Sequence, residues 1–109
     1  MNTTPSPTRT LPPCLFALGN VVATPGALDL LDRTATNAAE LLQRHQSGDW
    51  GSVPPEDAAL NDYSVTHEGR LLSSYPLNGS ERLWIITEWD RSVTTLLLPS
   101  RLLKFGDER

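Results

Sequence analysis

Five consecutive residues, Glu88-Trp89-Asp90-Arg91-Ser92, gather two carboxylates, a guanidinium, a hydroxyl and a large aromatic between the apolar arms LWIIT and VTTLLLP. A turn between two strands would hold all five in one small patch. As a plain turn, Asp90 bonds a backbone amide across the bend and Arg91 pairs with Glu88 or Asp90, because Asp and Ser favour turns through such bonds. As a binding site, Trp89 is the anchor, with Glu88, Asp90, Arg91 and Ser92 as its polar surround. A Trp at a turn tip is either folded back onto the core or offered to a partner.

The stretch HQSGDWG is a second cluster. His45 ends a helix, where the dipole favours its protonated form. Asp49 and Trp50 follow a glycine. Either Trp50 plugs the gap between two helices with His45 at its edge, or His45, Asp49 and Trp50 line a groove. The other aromatics read as structural. Trp84 sits mid-strand and is expected in the core, Tyr75 likewise with its hydroxyl at the rim, and His67 as a solvated helix end.

Other chemistries lack their residues. There is no phosphate loop, dinucleotide glycine pattern, HExxH, CxxC or GxSxG. The single Cys14 can form no internal disulfide and no thiolate cluster, and reads as a small, partly buried apolar residue. No cofactor and no metal site are expected. The net charge of -4 and pI near 5.0 disfavour a broad nucleic-acid footprint and point to a protein partner. Asp49, Glu56, Asp57, Glu88 and Asp90 are the charges that could occupy a basic groove. No apolar run approaches the length of a membrane span, and the polar, Pro-rich start lacks the pattern of a signal peptide, so a cytoplasmic location is expected.

The elements that must position these groups follow from caps and periodicity. A length of 109 residues implies one domain. Residues 1–13 read as a disordered tail, 14–103 as the domain and 104–109 as a frayed end. LFALGNVVA reads as a strand with a bulge or turn at Gly19-Asn20. Thr24-Pro25 starts a helix burying Ala27, Leu28 and Leu31. Thr36 or Asn37 caps a second, with Glu40 at capping-box spacing from Asn37, Ala38, Leu41, Leu42 and His45 on one face, and Gly48 as its stop. Ser52 caps a third, with Pro54 or Pro55 and Glu56-Asp57 in its first turn and Ala59, Leu60 and Tyr63 as its apolar stripe. After Gly69 the period becomes alternating. RLLSSYPL, ERLWIITE and SVTTLLLP form a meander, with Asn78-Gly79 as the first hairpin turn. Leu83, Ile85 and Thr87 face one way, Trp84, Ile86 and Glu88 the other. The expected fold is α+β: two to three short helices on one face of a C-terminal antiparallel sheet of three or four strands. LFALGNVVA would add a strand at either edge. SVTTLLLP, if left exposed as an edge, would invite pairing between two copies.

Across residues 15–99 the segments LGNVVATPGAL, LLQRHQSGDWG, RLLSSYPL and LWIITEWDRSVTTLLLP resemble a family of small proteins of bacterial plasmids and integrative elements, to which no activity is assigned. That resemblance implies an accessory protein of a mobile element, acting by binding a macromolecule such as a host-defence component. Trp89 departs from the smaller residue expected there. The hairpin alone is similar to the last hairpin of barnase-like ribonucleases. That likeness implies a nuclease with His45 in place of the missing general acid, Glu88 as base and Arg91 on phosphate. Here Asp90-Arg91 stands where those enzymes carry Asp-His, and Arg cannot donate a proton near neutral pH.

Overall fold

The computed structural model describes residues 13–99. In chain order these form β1 (Asn20–Ala23), α1 (Pro25–Arg33), α2 (Ala38–Gln46), α3 (Pro55–His67), β2 (Leu71–Asn78), β3 (Glu81–Thr87) and β4 (Val93–Leu97). The fold is α+β, with the sheet ordered β1-β4-β3-β2. The three C-terminal strands are an antiparallel meander, as expected. β1 differs: it lies parallel to β4, Asn20 opposite Val93 through Ala23 opposite Leu96, so the sheet is mixed. A parallel neighbour needs a long crossover, which the helices and the meander supply. β4 is therefore an inner strand, not the exposed edge anticipated for SVTTLLLP.

Local chemistry accounts for the helix starts. The Thr24 hydroxyl accepts the Ala27 N–H with Pro25 in the first turn, and the Asn37 side-chain Oδ1 accepts the Ala39 N–H at 2.9 Å. Ser52 does not cap α3. Its N–H and hydroxyl both donate to Ser74 O, and Pro54 stands at the cap without a side-chain bond.

The main core lies between α1, α2 and the inner sheet face, where Leu83, Ile85 and Thr87 of β3 are fully buried beside Leu71, Ser73, Tyr75, Thr94 and Leu96. Trp84 belongs to the opposite face, half-buried across from Ser74 and Leu97, and so is not core. Helix α1 buries Ala27, Leu30 and Leu31, a three-four spacing, and leaves Leu28 exposed a quarter-turn away.

Helix α3 departs most from the expected pattern. It buries Asn61 and Ser64 and exposes Ala59, Leu60 and Tyr63. The reason is the sheet edge. Asn61 Nδ2 donates to Leu72 O at 2.8 Å and Oδ1 accepts Leu72 N–H at 3.1 Å, satisfying both outward backbone groups of that residue. Two residues on, Ser74 N–H donates to Trp50 O and Ser74 O accepts Ser52 N–H. Gly51 passes so close to Ser74 O that a Cβ would collide with it. The β2 edge is thus closed, and an unpaired edge is a liability that folds commonly block. The hairpin also shifts by one residue. Asn78 pairs with Glu81, so Gly79-Ser80 make the turn, after an irregularity between Pro76 and Asn78.

Leu15 to Leu18 do not extend β1. Phe16 packs with Trp50 and Leu71 in a second cluster flanked by Leu18, Val53, Ala58 and Val65. The change of course occurs at Gly19, φ +65°, where a Cβ would run into the Ser92 and Arg91 carbonyl oxygens. Gly19→Ala should therefore cost about 2–4 kcal/mol in urea unfolding, combining a left-handed backbone with a backbone clash. A midpoint within error of the parent would show that the two segments are not so tightly apposed.

Candidate functional site

Helix α3 meets the hairpin between β3 and β4, and that junction organises the knot. Glu88 N–H donates to Val93 O, and Arg91 N–H to Glu88 O, closing the loop. Asp90 Oδ1 accepts the Ser92 hydroxyl at 2.7 Å and its N–H at 3.1 Å. The Ser92 hydroxyl and then its amide hold the Asp90 carboxyl below the usual carboxylate range. The expected amide bond of Asp90 is therefore present.

The expected pairing of Arg91 with a carboxylate is not. Arg91 adopts φ +59° and its guanidinium turns inward. Nη1 donates to Gly69 O at 2.6 Å and, at 3.2 Å each, to Glu88 O and Trp89 O; Nη2 donates to Ser64 O at 2.7 Å. Its Cζ lies 5.6 Å from the Phe16 ring centre. A planar fork suits this task, bonding several carbonyls on two elements at once. Glu88 meets Arg70 at 3.4 Å, an exposed pair of little energetic weight. Trp89 is left 59 % exposed at the tip.

His45 lies in the core with no exposed surface, not on a groove. Its Nδ1 is 2.6 Å from Ser73 Oγ and its Nε2 2.9 Å from Thr87 Oγ1. Thr87 Oγ1 is 2.7 Å from Thr94 Oγ1, and Thr94 donates to Leu18 O at 2.7 Å. Each hydroxyl has one proton, which fixes the direction of the chain. Thr94 spends its proton on the carbonyl, so Thr87 donates to Thr94. Thr87 must then accept from Nε2–H, and Ser73 donates to Nδ1. The ring is the neutral Nε2–H tautomer. Burial, then the Arg91 charge, lowers its pKa from 6.5 to about 4. This overrides the helix-end dipole, which alone would favour protonation. Phe16 and Trp50 close the site, edge-on to the imidazole at 5.1 and 5.8 Å.

Trp50 is buried as the plug, and its Nε1–H donates to Asp62 at 3.0 Å. Asp49 pairs with Arg44 at 2.6 Å, which lowers its pKa. Arg44 lies over the Tyr75 ring at 4.5 Å, and the Tyr75 hydroxyl donates to Asp49 O at 2.6 Å. Cys14 is exposed, contrary to expectation, with Gln46 Nε2 donating to its Sγ.

The residues proposed for chemistry are thus not assembled for it. His45 is sealed, the Arg91 nitrogens Nη1 and Nη2 are committed to carbonyls, and the two do not share an open cleft with Glu88. Nor do the carboxylates form one surface. Glu56 and Asp57 occupy the first turn of α3, whereas the hairpin carrying Glu88 and Asp90 is bonded to the helix at Ser64, about 10–12 Å further along its axis. Among the described residues no three His, Cys, Asp or Glu side chains cluster as metal ligands, and no helix is long and apolar enough to cross a membrane.

The junction joins two elements that each carry an exposed aromatic, Tyr63 on α3 and Trp89 on the hairpin. Tyr63 precedes Ser64 by one residue and Trp89 precedes Arg91 by two, so the Arg91–Ser64 bond brings their elements together. Tyr63 stacks on His67 at 3.7 Å, with Leu60 exposed one turn earlier. The helical spacing of Leu60 and Tyr63 is legible in the sequence; its outward direction is not. Comparisons with protein-family models, curated proteins and solved structures find no match to this chain.

Proposed function

We propose that the chain is a non-catalytic binding module that holds a protein partner at the Trp89 knot and the neighbouring outer face of α3. The observation that carries this reading is Trp89 itself: a large exposed aromatic on a turn whose backbone is fixed by Asp90-Ser92 and by the Arg91 fork. A rigid aromatic loses little freedom on binding, and such residues dominate interface energies. Glu88 and Asp90 beside it suit a basic partner surface. In this reading the protein works in the cytoplasm as an accessory factor of a mobile element and blocks a host protein, a role supported by the family resemblance of residues 15–99.

The test is capture from host-cell lysate with wild type beside Trp89→Ala, with bound proteins identified and co-purifying RNA assayed. The expected result is one protein whose affinity falls about 30-fold or more in the variant, as for a truncated hot spot, while thermal unfolding stays nearly unchanged. Equal capture by both proteins removes the knot from the binding surface. RNA that shortens on incubation would instead support a ribonuclease.

A further inference from the structure

The two edges of the sheet are treated differently. The β2 edge is closed by Asn61 and by the Trp50–Ser52 segment. Along β1, Asn20 N–H donates to Ser92 O, and just beyond its end Thr24 N–H donates to Leu96 O. Backbone groups alternate sides along a strand, so the N–H and C=O groups of Val21 and Ala23 point away from β4. Among the described residues no strand pairs with that side.

Asn20–Ala23 also lacks the usual guards of an edge, carrying no charge, proline or bulge. Val21 is 45 % exposed and Val22 47 %, and Leu28, in the first turn of the helix that follows, is 57 % exposed. These are three of the seven large apolar side chains left exposed among the described residues, within eight positions of one another. Open backbone groups specify what fits here: an extended segment with free donors and acceptors.

We infer that β1 pairs antiparallel with β1 of a second copy, making one continuous eight-stranded sheet about a two-fold axis at Val22. In that register Val21 exchanges both backbone bonds with Ala23 of the second copy, and the reverse. The two Val22 residues face each other across the axis as a non-hydrogen-bonded pair, where side chains approach most closely. Because the β2 edges are closed, the pairing ends at two copies and does not propagate. The interface is small beside the roughly 1,200 Å² of a stable complex, so association is weak and concentration-dependent.

Sedimentation equilibrium from about 10 µM to about 1 mM, with amide exchange at both limits, tests this. The expected result is a monomer–dimer equilibrium, with exchange at Val21 and Ala23 slowing as concentration rises. Val22→Lys sets like charges opposite each other and should weaken association at least tenfold. Val21→Pro removes an outward N–H that β4 does not use, a position where an edge strand tolerates proline, and should do the same. If Val21→Pro fails to fold, the exposed Val22→Lys decides. Trp89→Ala should dimerise like wild type, which separates this surface from the proposed partner site. A monomer throughout, concentration-independent protection of the two amides, a dimer that survives Val22→Lys, or assemblies larger than two would overturn the inference.

Discussion

Replacing His45 by alanine should lower stability by about 3 kcal/mol or more, roughly 10–20 °C in the midpoint of a domain this size. The change opens a cavity under Phe16 and Trp50 and strips the Ser73 hydroxyl of its acceptor. His45→Gln keeps polar atoms near both hydroxyls and should cost less. The sharper measurement is pH. An unfolded histidine binds its proton near pH 6.5, whereas folded His45 does so only near pH 4. Between these values the unfolded chain holds the extra proton, so stability falls as pH drops through the window, by up to about 3 kcal/mol. Asp49, Glu81 and Asp90 act in the same sense at lower pH: their folded pKa values lie below the ordinary 3.8 to 4.5, so their contribution is lost only as pH falls further. Urea midpoints measured between pH 7 and pH 4 should slope for wild type and flatten for His45→Gln. Parallel slopes would mean that the imidazole is not held neutral.

Features set by neighbours in sequence were legible before the fold. Thr24 and Asn37 cap helices because the amides they accept from, on Ala27 and Ala39, lie only three and two residues away, and Asp90 binds Ser92 for the same reason. The alternation separates Leu83, Ile85 and Thr87 from Trp84, Ile86 and Glu88 but does not say which set is buried: the expectation of a core Trp84 fails because the helices cover the other face. The illegible features depend on distant partners. Helix α3 is rotated by the bond of Asn61 to Leu72, a backbone edge that exists only once β2 has formed. A stripe of Leu60 and Tyr63 then points outward against its apolar character. His45 reaches Ser73 and Thr87, 28 and 42 residues on, and hydroxyls facing inward turned an apparent helix-end residue into a core one. The candidate site was legible as a turn with a Trp at its tip. That Arg91 holds the turn from inside was not, since its acceptors are carbonyls, which every residue carries.

Arg91 is where fold and proposed site meet, and its variants should separate three contributions. Arg91→Ala removes the fork from Ser64 O, Gly69 O, Glu88 O and Trp89 O, and should cost about 3 kcal/mol, since hydrogen bonds from a charged donor contribute roughly 1.5–3 kcal/mol each and the site is partly solvated. Arg91→Lys should recover less than half of that, because one ammonium cannot span two elements. Arg91→Gly should be more stable than Arg91→Ala by up to about 1 kcal/mol, because φ +59° strains alanine and not glycine. The charge has its own readout. Arg91 helps hold the His45 pKa down, so in Arg91→Ala the His45 ring signals should titrate at higher pH than in wild type, though still below 6.5 because burial is the larger cause. A released knot also frees Trp89, so partner affinity should fall even though Trp89 is intact. An Arg91→Ala protein that unfolds like wild type, with His45 titrating unchanged, would leave the turn held by Asp90 and Ser92 alone and remove the reason for treating Trp89 as preorganised.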